Sequence, residues 1–156
     1  MIVTHSPSGE IASVYFDPVA VDLQGLLEVN GTLFLNVPPT PVYDGTFDSD
    51  GKPNIQEYIS ASADHDLHYI HEGAVTSRPT LDLPEDIQTT VGSEIALTGI
   101  PASPGDPCMI LIDENVYHVE DANLTLDADM PAEYSILIEK FPYQRKTIKV
   151  TVNGTA

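Results

Sequence analysis

The chain has 156 residues, of which 24 are acidic and 6 are basic, so its formal net charge at pH 7 is −18. This charge argues against nucleic-acid binding, which needs basic side chains opposite the phosphates. The longest apolar runs fall well short of the ~18–20 residues that a membrane span requires, so we expect no membrane insertion.

Other features of composition point to a folded chain. Its hydrophobic content of 42% is too high for a chain that charge keeps disordered. Residues 1–79 hold 11 acidic and 2 basic side chains, and residues 80–156 hold 13 and 4, so the negative charge is spread evenly. Cys108 is the single cysteine and is interpreted as a small core residue. The N-terminal residues lack the basic and apolar regions of a secretion signal, so we expect none.

The first third of the chain predicts hairpins and one helix. A cluster of turn formers, Ser-Pro-Ser-Gly, separates two short β-branched runs, which is typical of a hairpin. The next segment has apolar residues at helical spacing, preceded by an Asp-Pro start and followed by Asn-Gly. The predicted elements are strands at Ile2–Val3 and Ile11–Phe16, a helix from Asp17-Pro18 to Asn30-Gly31, and a strand at Thr32–Val37.

The middle of the chain changes in character. Residues 38–54 are rich in Pro, Gly and Asp, which predicts a long loop or arm rather than core. Residues 55–59 fit either an extended piece or a helical turn. A second hairpin is expected around Glu72-Gly73. The segment 79–84, bounded by two prolines, is interpreted as a linker between two domains.

The last part of the chain predicts an all-β domain. Short runs of alternating polar and apolar residues recur there, separated by turn signals, as in a β-sandwich. The expected strands are at Leu81–Leu83, Glu94–Ile100, Met109–Ile112, Asn115–Val119, Leu124–Leu126, Glu133–Glu139 and Lys146–Val152. The predicted fold class is therefore mainly β, with a small N-terminal α+β domain (1–79, hairpins plus one helix) and a C-terminal immunoglobulin-like β-sandwich (80–156).

Two clusters are candidate metal sites. His65, His68 and His71 would share a helical face and could bind zinc, but strand geometry points His68 away from the other two. We therefore interpret them as surface and hairpin histidines. Asp44, Asp48 and Asp50 offer oxygen ligands of the kind that Ca²⁺ prefers, on a glycine-rich loop that lacks the complete EF-hand pattern. The other interpretation, solvated turn residues, leads us to expect no bound cofactor.

Two further groups are candidates for protein contacts, and no arrangement typical of a catalytic centre is present, so we expect no enzyme. Val42, Tyr43 and Phe47 are apolar residues in a polar segment and form a candidate interaction arm. Four of the six basic residues form a candidate basic docking island, which could instead be the outer faces of a strand pair. They are Lys140, Arg145, Lys146 and Lys149.

The order of these parts resembles small accessory proteins of tailed bacteriophages, from the tail-fibre and baseplate region. The resemblance covers nearly the whole chain and rests on short segments: MIVTHSPSGEIASVYFDP, LFLNVPPTP, HYIHEGAVTSRP and DADMPAEYSILIEKFPY. It departs from the common pattern at Tyr69 and Val75, where many such hairpins place tryptophan. In the last segment, Tyr134 would lie at a sheet corner, where its hydroxyl can bond back to the backbone.

The resemblance implies a structural protein of the phage virion, made in the host cytoplasm and located in the tail. Its partners would be other phage tail proteins and further copies of itself, as a homo-oligomer in the baseplate, tail tip or tail-fibre attachment. The alternative is an adhesion module that binds the host surface or its carbohydrate. Carbohydrate binding usually uses exposed aromatic faces, and the chain has no tryptophan and 7% aromatic residues.

Overall fold

A computed structural model describes residues 1–154 of the chain. These residues form one α-helix and 14 β-strands, so the predicted mainly-β fold class is confirmed. The chain divides into two compact units. Unit 1 runs from Met1 to Ser77, and unit 2 begins at Arg78.

Unit 1 is built around a three-stranded antiparallel sheet in the order β2-β1-β3. Its elements are β1 (Ile2–His5), β2 (Ile11–Tyr15), α1 (Leu23–Val29) and β3 (Phe34–Asn36). Five buried residues form its core, with β1 at the centre because it is paired on both sides. They are Met1, Val3, Ile11, Ala63 and Ile70.

The helix of unit 1 begins later than predicted. The prediction used Asp17 as its cap, but that carboxylate accepts a hydrogen bond from the amino group of Met1 at 2.6 Å. The helix instead follows Asp22, whose side chain makes no capping hydrogen bond. Its predicted end is confirmed at Asn30 and Gly31, where Gly31 has a φ of +66°. At the start of the helix, the contact between Met1 and Asp17 therefore prevailed over the local capping pattern.

Residues 38–54 are not a long loop, as predicted, but most of a β-hairpin. Its strands are β4 (Thr40–Phe47) and β5 (Pro53–Ile59), which form a two-stranded antiparallel sheet. The Asp48 carboxylate closes the turn by accepting hydrogen bonds from the N–H groups of Asp50 and Lys52. Here the prolines and glycines occupy ends and irregular positions, so they do not prevent the valine, tyrosine and isoleucine residues from pairing.

A second hairpin follows, with β6 (His68–His71) and β7 (Ala74–Ser77). Its predicted turn is confirmed, since Glu72 and Gly73 both have positive φ, as tight hairpins require. The hairpin is held to the β1-β2 hairpin through Gly9, whose carbonyl accepts the N–H of Ile70 at 2.8 Å. A Cβ at Gly9 would overlap the Ile70 carbonyl oxygen, so this approach requires glycine.

Unit 2 contains a five-stranded sheet in the order β11-β10-β13-β14-β8 and a two-stranded sheet, β12-β9. All its strand pairs are antiparallel except β8 with β14. The strands are β8 (Asp86–Thr90), β9 (Glu94–Thr98), β10 (Cys108–Ile112), β11 (Asn115–Val119), β12 (Asn123–Asp127), β13 (Ala132–Glu139) and β14 (Lys146–Asn153). Buried residues of both sheets contribute to one core cluster.

The predicted alternation of the last two strands is confirmed. Ile136 and Ile138 of β13 are fully buried, as are Ile148 and Val150 of β14, whereas Ser135 is exposed. Ile136 lies directly opposite Ile148, so each strand directs its isoleucines to the same face.

The segment 79–84 belongs to unit 2 and is neither a strand nor a free linker. Leu81 and Leu83 are buried in the core cluster of this unit. The carbonyl of Pro79 accepts the N–H of Gln144 at 2.8 Å. The first strand of the unit is instead Asp86–Thr90, which was not predicted because its DIQTT pattern has one strongly apolar residue.

We expect Ile136→Ala to lower the free energy of unfolding of unit 2 by about 2–5 kcal/mol, because it leaves a cavity in the core. Ser135→Ala, one position away on the outer face, should cost about 0.5 kcal/mol or less. Urea unfolding followed by circular dichroism compares the two. Similar losses for both variants would contradict the register of β13.

We expect Gly9→Ala to destabilise unit 1 by about 3 kcal/mol or more, in the upper range for single substitutions, because the new Cβ would overlap the Ile70 carbonyl. Gly31→Ala is the control, since Gly31 also has positive φ but no atom lies within 4 Å of the place that a Cβ would occupy there. The control should lose only the about 1–2 kcal/mol of left-handed backbone strain. Thermal unfolding measures both, and equal losses would mean that the Gly9–Ile70 approach is relaxed in solution.

Candidate functional site

The three histidines do not form a common site. His68 and His71 lie in β6, on opposite faces of the strand. The His71 ring stacks against that of Tyr69 with 5.6 Å between centroids, and His68 Nδ1 accepts the N–H of Asp64 at 3.2 Å. His65 precedes the strand and is exposed. Strand geometry therefore separates the imidazoles that a helix would have brought together.

A different trio lies close together in the described chain: Asp64, His65 and Asp66 place one potential ligand atom each within 4.8 Å of one another. All three side chains are exposed. Asp64 Oδ1 already accepts the N–H groups of Asp66 and Leu67, and the Asp66 bond is the main cause of a lowered Asp64 pKa. The carboxylate thus closes the turn that leads into β6, a role that sequence reasoning did not assign to it.

The candidate calcium ligands have similar local roles. Asp44 Oδ1 accepts hydrogen bonds from both the N–H and the hydroxyl of Thr46, at 2.7 and 2.6 Å. The Thr46 side-chain hydrogen bond is the first cause of the lowered pKa of Asp44. Asp48 closes the turn of the hairpin, while Asp50 is exposed within it. The carboxylates of Asp44 and Asp48 therefore stabilise a bend and a turn of the hairpin.

The candidate basic island is largely neutralised by its own surroundings. Lys140 forms an ion pair with Asp106, Arg145 pairs with Glu139 at 2.9 Å, and Lys146 pairs with Glu85 at 3.7 Å. By strand alternation, Lys149 lies on the face of β14 opposite to Lys146. The four cations therefore do not present one positive surface.

Unit 2 contains a shallow cleft of about 250 Å³ near the turn between β10 and β11. Tyr134, expected at a sheet corner, lies in this cleft beside Asp113. Burial and the Asp113 charge raise the pKa of Tyr134. Within residues 1–154 its hydroxyl makes no hydrogen bond to the backbone, so the expected corner bond is not formed. The lining residues are Ile112, Asp113, Tyr117, Leu126, Asp127 and Tyr134.

Cys108 lies in the core of unit 2 and is fully buried, as expected from the sequence. Burial is the main cause of its raised pKa, and its Sγ lies 3.6 Å from the Glu139 carbonyl oxygen. A buried thiol of raised pKa is a poor nucleophile, so its position has a packing role.

The 40–59 hairpin, β4 with β5, exposes an apolar face. Pro41 lies opposite Tyr58, and Tyr43 lies opposite Ile55. Residues directly opposite each other share a face, and residues two apart on one strand do so too. We call this set of four the apolar hairpin face. Tyr43 is 52% exposed, Ile55 44% and Tyr58 59%, so three of its members are open to solvent.

The candidate interaction arm is divided by this geometry. Tyr43 belongs to the apolar hairpin face, and Phe47 lies opposite Pro53 near the turn. Val42 pairs with Glu57 on the other face. The contribution of Ile55 and Tyr58 was not predicted, although the β-branched and aromatic residues of the IQEYI segment are typical of a strand.

Comparisons with known proteins give no relative from which a role could be transferred: no family model, curated protein or solved structure matches the chain. Among the described residues, no helix combines the length and the hydrophobicity that crossing a membrane would take.

We expect Thr46→Val to raise the Asp44 pKa toward its ordinary value, because the substitution removes the hydroxyl that hydrogen-bonds the carboxylate. A depressed pKa means that this contribution to hairpin stability is present above the unfolded-state pKa and is lost as the pH falls through the folded-state pKa. NMR titration of the side-chain carboxyl carbons measures the change. Thr76→Val, whose hydroxyl donates to the Ala74 carbonyl, is the control and should leave Asp44 unchanged. A large Asp44 shift on adding Ca²⁺ would instead support the calcium site.

Proposed function

We propose that the chain is a non-enzymatic structural subunit of a phage virion, at the tail tip, the baseplate or the tail-fibre attachment. It acts there through protein–protein contacts, and the 40–59 hairpin is its main contact surface. The observation that carries the proposal is the apolar hairpin face, with two tyrosines and an isoleucine open to solvent. The phage assignment itself comes from the resemblance of the four sequence segments.

The composition of this face supports a contact role. Tyrosine is enriched in the buried centres of protein interfaces, where its large ring is covered and its hydroxyl remains available for a hydrogen bond. Glu57 pairs with Val42 on the opposite face, so the four members of the apolar hairpin face carry no charge. In the described chain the hairpin pairs with no other strand, and three members of its apolar face are open to solvent.

We also infer that unit 2 is an immunoglobulin-like sandwich. In that fold the third, sixth and seventh strands form one sheet, whereas the second and fifth belong to the other. The strands of unit 2 sort in the same way: β10, β13 and β14 are neighbours in the five-stranded sheet, and β9 pairs with β12. Their inward residues share a core cluster, which supports two sheets packed face to face. In domains of this fold the loops cluster at the two ends of the sandwich, where they can contact partners.

The adhesion alternative is favoured by one feature, the cleft of unit 2. Tyr117 is 48% exposed there, beside the carboxylate-bearing residues Asp113 and Asp127. An exposed aromatic ring with nearby hydrogen-bond acceptors is the chemistry that a saccharide hydroxyl and ring face would use. This cleft is shallow, and its two tyrosines are the only aromatic residues among its lining residues. The larger exposed aromatic surface is on the hairpin.

We expect the double variant Tyr43→Thr, Tyr58→Thr to remain folded yet to be depleted from the virion by about tenfold or more, since it removes both interface rings. Threonine retains strand propensity and leaves the charge unchanged. The assay supplies each variant in trans to a phage that lacks the encoding gene, and quantifies the protein in purified particles by mass spectrometry. Circular dichroism checks folding.

Tyr117→Thr is the matched control, because it removes a strand tyrosine of similar exposure from unit 2. It should be incorporated at the wild-type level. Normal incorporation of the hairpin variant would contradict the proposed contact surface. Failure of the Tyr117→Thr particles alone to adsorb to host cells would favour the adhesion alternative.

A further inference from the structure

We propose that the molecule contacting the hairpin is a second copy of this chain, and that the two β5 strands pair antiparallel across a two-fold axis. The product is a four-stranded sheet in the order β4-β5-β5-β4. This inference rests on the proposed function, in which the hairpin is the contact surface, and names the partner and the mode of contact.

The two edges of the hairpin differ in their ability to pair with another strand. Along β4, Pro41 has no N–H to donate, and the pairing is irregular from Val42 to Phe47. Along β5, residues 54–59 contain no proline, and all but the half-buried Asn54 are exposed. In the described chain no strand pairs with the outer edge of β5. An exposed edge strand with unpaired N–H and C=O groups is a template for another strand.

The register of β5 makes this edge self-complementary. Between Val42 and Tyr43, the pairing skips Gln56, so β5 has one extra residue at this point. This bulge places Ile55 and Tyr58 on the same face, although they are three residues apart. In a two-fold pairing centred between Gln56 and Glu57, Ile55 lies opposite Tyr58 of the second copy, and Tyr58 opposite its Ile55. The apolar hairpin faces of the two copies then join into one surface.

The same register also keeps the carboxylates of the two copies from facing each other. Residues 54–59 carry a single charged side chain, Glu57, although the chain as a whole has a charge of −18. In this pairing Glu57 lies opposite the Gln56 amide of the second copy, which can donate a hydrogen bond, and not opposite another carboxylate. Asp44, Asp48 and Asp50 belong to β4 and the turn, away from the seam.

The pairing should be weak between free molecules and sensitive to salt. A seam of six residues per strand is small beside the about 1,200–2,000 Å² of a standard stable interface. Both copies are strongly acidic, so added salt should strengthen the association by screening their repulsion. Copies held together in a particle would pair more readily, because the second contact is then intramolecular.

The test is sedimentation equilibrium of the purified full chain at millimolar concentration, in about 0.05 M and about 0.5 M NaCl. We expect a monomer–dimer equilibrium that is tighter at high salt. Ile55→Thr should weaken the dimer by about tenfold or more, because the change enters the two-fold seam twice. Val116→Thr is the control: Val116 is 53% exposed on β11, which is also an edge strand, and its loss should leave the dimer unchanged.

Hydrogen exchange distinguishes edge pairing from packing of two hairpin faces. Edge pairing should slow the exchange of backbone amides within 54–59 on dimer formation, and face packing should leave the outer amides of β5 unprotected. The proposal is overturned by a chain that is monomeric in both salts, by a dimer that Val116→Thr weakens and Ile55→Thr does not, or by a dimer without new protection in 54–59. If the chain is monomeric and its incorporation into particles still depends on Tyr43 and Tyr58, self-pairing fails while the proposed function stands.

Discussion

The pairing of β13 with β14 is the interaction on which unit 2 depends. These two eight-residue strands lie next to each other in the interior of the five-stranded sheet. Each strand supplies fully buried residues to the core, among them Ile136 opposite Ile148. Because side chains alternate between faces, a slip of one residue would move this whole set to the outer face and bring lysine and threonine inward. The strands β10 and β8 attach to the two sides of this pair.

Unit 1 has a smaller core, and this limits what it can cover. Its central sheet and the β6-β7 hairpin meet where the Gly9 carbonyl accepts the N–H of Ile70, and five buried residues complete the contact. The 40–59 hairpin contributes none of these buried residues. A two-stranded sheet is only marginally stable by itself in water. Asp44 and Asp48 therefore matter, since their carboxylates stabilise its bend and its turn. The result is an ordered surface whose tyrosines are open to solvent.

Sequence patterns predicted the elements best where a residue's role is local. The alternation around Ile136 and Ile138 and the Glu72-Gly73 turn depend on neighbouring residues alone, and both predictions are confirmed. The predicted start of the helix was wrong because the Asp17 carboxylate accepts a hydrogen bond from the amino group of Met1, sixteen residues away. The prediction of a loop at 38–54 was wrong because the prolines and glycines of this segment fall at strand ends and irregular positions, where they are compatible with a hairpin. Tyr43 was predicted as part of the interaction arm. Its neighbours Ile55 and Tyr58 could not be predicted, because their position on the same face depends on the register and bulge of β5.

The high negative charge of the chain makes the contacts of the exposed hairpin more specific. An apolar edge strand on a neutral protein would attract many partners, including aggregated chains. On a chain of −18, most approaches bring acidic surfaces together and are opposed. The basic side chains Lys140, Arg145 and Lys146 do not relieve this repulsion, because each is already paired with a carboxylate of its own unit. The six residues Asn54–Ile59 carry one charge, so an edge-to-edge approach along β5 meets less opposition than other arrangements. Repulsion over the rest of the surface thus selects the orientation in which the backbone edge and the tyrosine rings can make their contacts.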